Sequence, residues 1–452
     1  MRITDNNYKG EKLNSQYIED LTPIANHSIA YLLSENPNLL VFPQSLENYL
    51  NKPIFNIEGD KLYTNNIMGF VGRNTSKVTI TSRFAKDDEN DFFLHYMLQK
   101  VLAANIFNFE QSPNNKETIW DFWLYLFPYC LKKAYAQGLY KAYQRKQYND
   151  VNVKGTLDVK RHLLKNLPFA GKIAYTTKEH SYDNPLSQLI RHTIEYLRMH
   201  PIGSVLLNTD AEIRTMVSQF VFHTQNTYNK NARRKVIMAN TKPFVHPYFT
   251  EYAPLQKICL NILNHEKLTF GEEKDKIHGL LFDGAWLWEE YLNTFLDEDF
   301  EHPENLKGNG RKYLFKKGKQ PIYPDFISRS GSPKLVGDAK YIPLDEHKSY
   351  GEDSERAISI YYKTITYMYR FETDRGFLLY PRDQKDSNEP FLSEKLCIEG
   401  NAENRILEKI GITIPQHSES FTNFVSKMRE NENALKECFL KKREEVKQII
   451  RE

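Results

Sequence analysis

The chain has 452 residues, 40% of them hydrophobic and 26% charged, with a net charge of +3. That length is more than one hydrophobic core serves, so two or three domains are expected, and neither a membrane-spanning run of ~20 apolar residues nor the apolar centre of a secretion signal is present. The near-neutral total confines nucleic-acid binding to local patches, and the four cysteines (Cys130, Cys259, Cys397, Cys438) lack the C-x-x-C spacing of a zinc site or disulfide framework, so a cytoplasmic protein with reduced thiols is expected.

Residues 1–115 read as a mixed, mainly β region. Ile54-Phe-Asn-Ile57 and Lys61-Leu-Tyr63 flank a Gly59-Asp60 turn and predict a hairpin. Ile67-Met-Gly-Phe-Val71 and Lys77-Val-Thr-Ile-Thr81 predict another around Gly72-Arg-Asn-Thr-Ser76. An apolar stripe through Phe92, Phe93, Tyr96, Met97, Val101 and Leu102 predicts a helix over 91–107, and Gln111-Ser-Pro-Asn-Asn115 reads as a linker.

Residues 116–264 read as helical. An aromatic helix or helical pair over 117–147 carries Trp120, Trp123, Tyr125 and Phe127 as core residues, with Pro128 implying a kink. A short helix starts near Gly155. Residues 183–197 have Asp183 or Asn184 as N-cap and Pro185 in the first turn. Further helices are predicted over 210–230 and 251–265, with 241–248 extended between them.

Residues 281–296 are strongly apolar and predict a helix, in which Glu289 and Glu290 interrupt the apolar run and one of them can face inward. Next comes Lys307-Gly-Asn-Gly-Arg-Lys-Tyr-Leu-Phe-Lys-Lys-Gly-Lys319, with six basic residues and no acidic one. Lys307, Arg311, Lys312, Lys316, Lys317 and Lys319 suit a DNA phosphate backbone; an edge strand charged against aggregation is the alternative.

Two apolar-rich runs, 322–327 and 334–342, then flank a Ser330-Gly-Ser-Pro333 turn and predict a hairpin. Asp338 and Lys340 share a strand face. Asp325, thirteen residues ahead of Asp338, can reach the same spot from the neighbouring strand. Two carboxylates and an amine suit metal-assisted phosphodiester hydrolysis: the acids hold a hard cation such as Mg²⁺, with Mn²⁺ as a substitute, and the lysine steadies the attacking water or developing charge. A surface hairpin with a salt bridge is the other reading of the same residues. A helix over 354–371 and a buried strand Gly376-Phe-Leu-Leu-Tyr-Pro381 follow, and 417–452 read as one or two amphipathic helices. The order of helix, hairpin, helix and strand is that of the PD-(D/E)xK nucleases. No G-x-x-x-x-G-K-[S/T] loop occurs, so the chain is expected to bind no nucleotide itself.

Over most of its length after about residue 65, the chain resembles the McrC family, the nuclease subunits of modified-cytosine-dependent restriction systems. Phe70-Val-Gly72 with Val78-Thr-Ile-Thr-Ser-Arg-Phe84 is similar to the family's N-terminal strands, departing from its usual I-x-P-K-F. Gly138-Leu-Tyr-Lys-Ala-Tyr143, Val153-Lys-Gly-Thr-Leu-Asp-Val-Lys160 and Tyr182-Asp-Asn-Pro185 resemble further blocks. Phe282-Asp283 through Leu287-Trp-Glu-Glu-Tyr291 resembles F-D-M-N-x-L-F-E-E-Y, which makes Glu289 the helix acid. Pro324-Asp325 with Asp338-Ala-Lys340-Tyr341 matches P-D…D-x-K-Y, and Tyr362-Lys363 through Tyr367 resembles Y-Q-x-x-x-Y, with Lys363 where glutamine is usual.

The resemblance implies an α+β multidomain protein: residues 1–115 engaging a partner, a helical middle over 116–264, and a PD-(D/E)xK, restriction-endonuclease-like α/β domain over 265–452 that includes the C-terminal helices. It implies a Mg²⁺-dependent DNA endonuclease with Asp325, Asp338 and Glu289 on the metal, Lys340 assisting and Lys363 supplementing Lys340 or contacting phosphate. The implied partners are modified-cytosine DNA and a McrB-like AAA+ GTPase hexamer whose hydrolysis the chain stimulates, with Arg73 as the candidate contact. A non-catalytic adaptor for a partner NTPase and a stand-alone repair nuclease remain as alternative readings.

Overall fold

The computed structural model of the protein describes residues 1–36, 39–43, 50–74, 76–85, 91–102, 121–208, 210–269, 277–303, 311–329, 335–344, 352–384, 389–400 and 405–449. It is mixed α/β and gathers into two compact units, one of Met1–Val101, Phe109–Pro113 and Glu273–Glu452, the other of Leu102–Asn108 and Asn114–Glu272.

In the first unit, a five-stranded sheet runs Arg2–Thr4, Ser76–Thr81, Ile67–Arg73, Ile277–Asp283, Leu39–Phe42. Ile277–Asp283, from the C-terminal half of the chain, is a central strand, antiparallel to Ile67–Arg73 and parallel to Leu39–Phe42. Gly69 permits this contact: at φ +125°, an added Cβ would lie 2.1 Å from the Leu280 carbonyl oxygen. Leu281, Phe282 and Asp283 are therefore strand residues, not the first turn of the expected helix. A short apolar run gives no period by which to tell strand from helix. The helix is Gly284–Leu296, and the Asp283 carboxylate caps it by accepting from the Trp286 N–H at 2.7 Å. The expected hairpin around Gly59-Asp60 is present as Phe55–Glu58 against Lys61–Thr64.

A six-stranded sheet in the same unit runs Phe300–Glu301, Phe326–Ser328, Leu335–Ala339, Arg375–Asp383, Ile406–Ile414, Phe391–Cys397. Phe326–Ser328 is antiparallel to both its neighbours, Phe300–Glu301 and Leu335–Ala339; Leu335–Ala339, Arg375–Asp383 and Ile406–Ile414 are parallel; the last is an antiparallel edge. The helix Glu352–Arg370 is the crossover between Leu335–Ala339 and Arg375–Asp383. The C-terminal region is one helix, Phe421–Ile449. Its Phe439 packs 5.2 Å from Phe300 and 5.0 Å from Phe377. Its buried Glu432 accepts from the Tyr96 and Tyr291 hydroxyls (2.6 and 2.9 Å) and pairs with Lys100 (2.8 Å). A buried carboxylate needs such partners, and these fasten the helix to Phe92–Val101 and Gly284–Leu296.

The second unit has the helices Asp121–Ala136, Pro185–Met199, Pro201–Asn208, Ala211–Thr224 and Tyr252–Thr269 beside a three-stranded sheet, Ala142–Asp150, Ile173–Ser181, Thr156–Leu157. The helix expected over 117–147 stops early. Gly138 at φ +91° ends it in the left-handed conformation common past a helix C-terminus, and Ala142–Asp150 pairs antiparallel with Ile173–Ser181. This strand's mostly polar sequence carries no apolar alternation to announce it. Asn184 is the N-cap of Pro185–Met199, accepting from the Leu186 and Ser187 N–H groups. Trp120, the 111–115 linker and the Ser330–Pro333 turn lie outside the described residues. Among the described residues no helix is long and apolar enough to cross a membrane.

Candidate active site

The site is built on the pairing of Phe326–Ser328 with Leu335–Ala339, in which Phe326 faces Gly337 and Ile327 faces Val336. Gly337 lets the Phe377 ring lie against the strand, since a Cβ would sit 2.2 Å from that ring. Asp338 follows, with its side chain 0% exposed. Asp325 stands just before the neighbouring strand, and its Oδ2 accepts the Ala339 N–H at 2.7 Å. Lys340 follows the strand end. Its Nζ donates to Asp338 Oδ2 at 2.7 Å and to the Ala339 carbonyl at 2.9 Å, and lies 3.9 Å from Asp325 Oδ2. Lys363, from Glu352–Arg370, donates to the same Asp338 Oδ2 at 3.0 Å. Asp338 Oδ1 is buried with no hydrogen-bond partner among the described residues.

Glu289 arrives from Gly284–Leu296, whose Leu287, Trp288, Tyr291, Leu292 and Phe295 are buried. Its side chain keeps 32% exposure and lines a cavity of about 440 Å³ together with Asp325, Lys363 and Tyr367. His302, which sequence reasoning missed, lies between two of the acids: Nε2 is 3.6 Å from Glu289 Oε1, and Nδ1 is 2.7 Å from the Asp325 carbonyl oxygen. Nothing in Phe300-Glu-His-Pro303 signals that position. Only the pairing of Phe300–Glu301 with Ile327 and Ser328 brings it there.

The acids are poised differently. Burial alone would raise Asp338, but Lys340 and Lys363 outweigh it and hold the carboxyl at about 2. Asp325 is pushed up to about 6 by burial and by the Asp338 charge, against the two lysines. Glu289 is pushed well above the usual range by burial and then by Asp325, Glu290 and Asp338. Burial opposes the charge on Lys363, yet Asp338 and Asp325 raise its pKa. Carboxyl groups that raise one another's pKa form a locus of negative potential.

Among the described residues, no three His, Cys, Asp or Glu side chains are gathered into a metal-holding group; Lys340 and Lys363 hold one Asp338 oxygen instead. The donor set nevertheless fits a hard cation: all oxygen, mutually repelling, with a buried and unpartnered Asp338 Oδ1.

The basic segment forms a two-stranded ribbon, Lys312–Phe315 against Lys319–Ile322. Leu314, Gln320, Pro321 and Ile322 line the cavity, making the ribbon one of its walls. Arg370 fastens the ribbon to Glu352–Arg370 by donating to the Tyr313 carbonyl at 2.6 Å. Arg311, Lys316, Lys317 and Lys319 are exposed. Lys312 is engaged with Glu301 at 2.8 Å, and Lys307 lies outside the described residues. Arg73 ends the strand Ile67–Arg73, half-buried, beside a tip in which the Asn74 and Ser76 side chains donate to Asp20.

The family model for the McrBC 5-methylcytosine restriction system component matches residues 62–381. Among solved structures, the chain is similar to a refined half-complex from the tetradecameric assembly of Thermococcus gammatolerans McrB AAA+ hexamers with bound McrC. Identity there is 14% and the TM-score 0.43, covering 95% of this chain and 99% of that one. For a cryo-EM structure of the Thermococcus gammatolerans McrBC complex, the values are 14% and 0.30, covering 66% and 87%. No curated protein matches the chain.

Proposed function

This chain belongs to the family of McrBC 5-methylcytosine restriction system components, and from that premise we propose that it is the DNA-cleaving subunit of such a system, a metal-dependent endonuclease. The observation that carries the reading is the meeting of Asp325, Asp338, Lys340 and Lys363, with Glu289 lining the same cavity as Asp325 and Lys363. The strand and helix order around them supports a PD-(D/E)xK nuclease fold.

Asp325, Asp338 and Glu289 are the residues that would hold Mg²⁺, or Mn²⁺ in its place, and the ion when bound supplies an acidified water and charge neutralisation at the phosphate. Asp338, held at about 2, stays anionic at neutral pH. Lys340 and Lys363 present ammonium groups on one side of it. With a phosphodiester in place, Lys340 steadies the charge developing on the non-bridging oxygens, and Lys363, 45% exposed, meets a neighbouring phosphate. Arg311, Lys316, Lys317 and Lys319 continue that path for the DNA backbone.

Membership of a multi-component system supports a McrB-like AAA+ GTPase as partner, modified-cytosine DNA as the target and a cytoplasmic setting. A non-catalytic adaptor is the second reading, favoured by one observation: two lysines on one buried aspartate oxygen are also the geometry of a structural ion pair. The test is a 5-methylcytosine plasmid incubated with the chain, the AAA+ partner, GTP and Mg²⁺. Linearisation that EDTA abolishes supports the nuclease; partner hydrolysis stimulated without any cut supports the adaptor.

A further inference from the structure

We propose that Arg83 is a positioning residue that sets the catalytic geometry of Lys340 through Tyr341; this rests on the nuclease reading above. Pairing of Leu335–Ala339 ends at Ala339. Beyond it, the Lys340 N–H still donates to the Leu379 carbonyl at 2.8 Å, and then the chain leaves the sheet. What holds it next comes from the N-terminal hundred residues. The Tyr341 side chain is buried, its hydroxyl 2.7 Å from Ser82 Oγ and its ring edge-on to Phe84 at 5.2 Å. The Arg83 guanidinium lies 4.8 Å from the Tyr341 ring centre and donates to the Tyr341 carbonyl oxygen at 3.2 Å.

Arg83 is itself fixed. Its N–H donates to Asp5 Oδ1 at 2.6 Å, its guanidinium pairs with Asp5 Oδ2 at 2.9 Å, and Nη2 donates to Asn66 Oδ1 at 2.6 Å. Asn66 reaches the other catalytic element as well. Its carbonyl accepts from the N–H of Gly284, the first residue of the Glu289 helix, at 3.0 Å. A Cβ on Gly284 would meet the Tyr341 ring at 2.9 Å, so helix start and tyrosine are in direct contact. One guanidinium thus ties the carbonyl next to Lys340 to the loop that seats the Glu289 helix. Both links are made by the one nitrogen Nη2, which also faces Asp5 Oδ2. A lysine with four side-chain torsions reaches Asp338 reproducibly only if its backbone is fixed on both sides. The sheet supplies one side and this socket the other.

The test uses the full chain with its AAA+ partner, GTP, Mg²⁺ and a 5-methylcytosine plasmid. Arg83→Gln is expected to lower the maximal cleavage rate by about 10- to 100-fold, the cost of a misplacement near 1 Å. The half-saturating DNA concentration and the stimulated GTP hydrolysis stay within about twofold of wild type. Independently of cleavage, hydrogen exchange at the Lys340 amide is expected to rise about tenfold in Arg83→Gln, measured where the variant is still folded, since the loss of the buried Asp5's partner lowers its melting temperature. Unchanged exchange there overturns the proposal whatever the plasmid does. So does wild-type cleavage by Arg83→Gln, or a loss of cleavage that merely follows a loss of folding. A wild-type chain that never cuts, with faster exchange in Arg83→Gln, overturns the nuclease reading and leaves Arg83 as the anchor of Lys340.

Discussion

The six-stranded sheet of the first unit and the three-stranded sheet of the second use charge in opposite ways. In the first, Arg375–Asp383 and Ile406–Ile414 are almost wholly buried, and a fully buried Asp338 is held between two lysines. In the second, Ala142–Asp150 is half-buried or exposed throughout and Ile173–Ser181 buries only Ala174 and Tyr175, while Lys146 meets Glu179 at 3.1 Å with 44% and 38% of their side chains exposed. A buried charge carries a desolvation penalty of several kcal/mol unless it is well paired, whereas an exposed pair contributes little. Charge in the first sheet therefore asks for a chemical explanation, and charge in the second does not.

Breaking the first sheet's cluster has the largest expected effect. Lys340→Ala leaves Asp338 with Lys363 as its counter-ion and is expected to slow cleavage by about 10²- to 10³-fold, the range for removing one group that stabilises transition-state charge. Cleavage assays under saturating DNA check it. Next comes the apolar support. Phe300 is fully buried, 5.2 Å from Phe439 and 5.3 Å from Phe377, and Phe300→Ala is expected to destabilise the protein by about 3–5 kcal/mol in denaturant unfolding.

A smaller effect separates the two aspartates by pH, measured as melting temperature in EDTA. Asp325 is raised to about 6 from 3.8, so the folded protein binds its proton more tightly, and the stability it contributes is present below pH 4 and lost as pH rises through 6. Asp325→Asn removes that loss and is expected to melt above wild type at pH 7. Asp338 is lowered to about 2, so its contribution is present above pH 4 and lost as pH falls toward 2. Asp338→Asn is expected to melt below wild type at pH 7. Equal shifts of the same sign would contradict the assignment. The smallest effect belongs to the exposed sheet: Lys146→Ala is expected to leave the melting temperature unchanged within error.

What was legible in the sequence was local. The paired runs around 330–333 gave the hairpin because strand propensity and turn residues lie within twenty positions of each other, and alternation placed Asp338 and Lys340 on one face. The start of the Glu289 helix was misread because Ile277–Asp283 is made a strand by partners at residues 39–42 and 67–73. Ala142–Asp150 was misread because an exposed sheet of Tyr, Lys and Gln has no apolar period. The choice of Glu289 over Glu290 came from family resemblance and not from any pattern in the helix. His302 and the Arg83–Tyr341 contact, 258 positions apart, had no local signal at all.

The central claim is that the Asp325, Asp338 and Lys340 cluster cuts DNA. The most direct measurement compares wild type with Asp338→Ala on a 5-methylcytosine plasmid with Mg²⁺, the AAA+ partner and GTP, recording partner hydrolysis in the same tube. The account predicts that wild type linearises the plasmid, and that Asp338→Ala does not while stimulating hydrolysis as well as wild type. Cleavage by Asp338→Ala at the wild-type rate would contradict it.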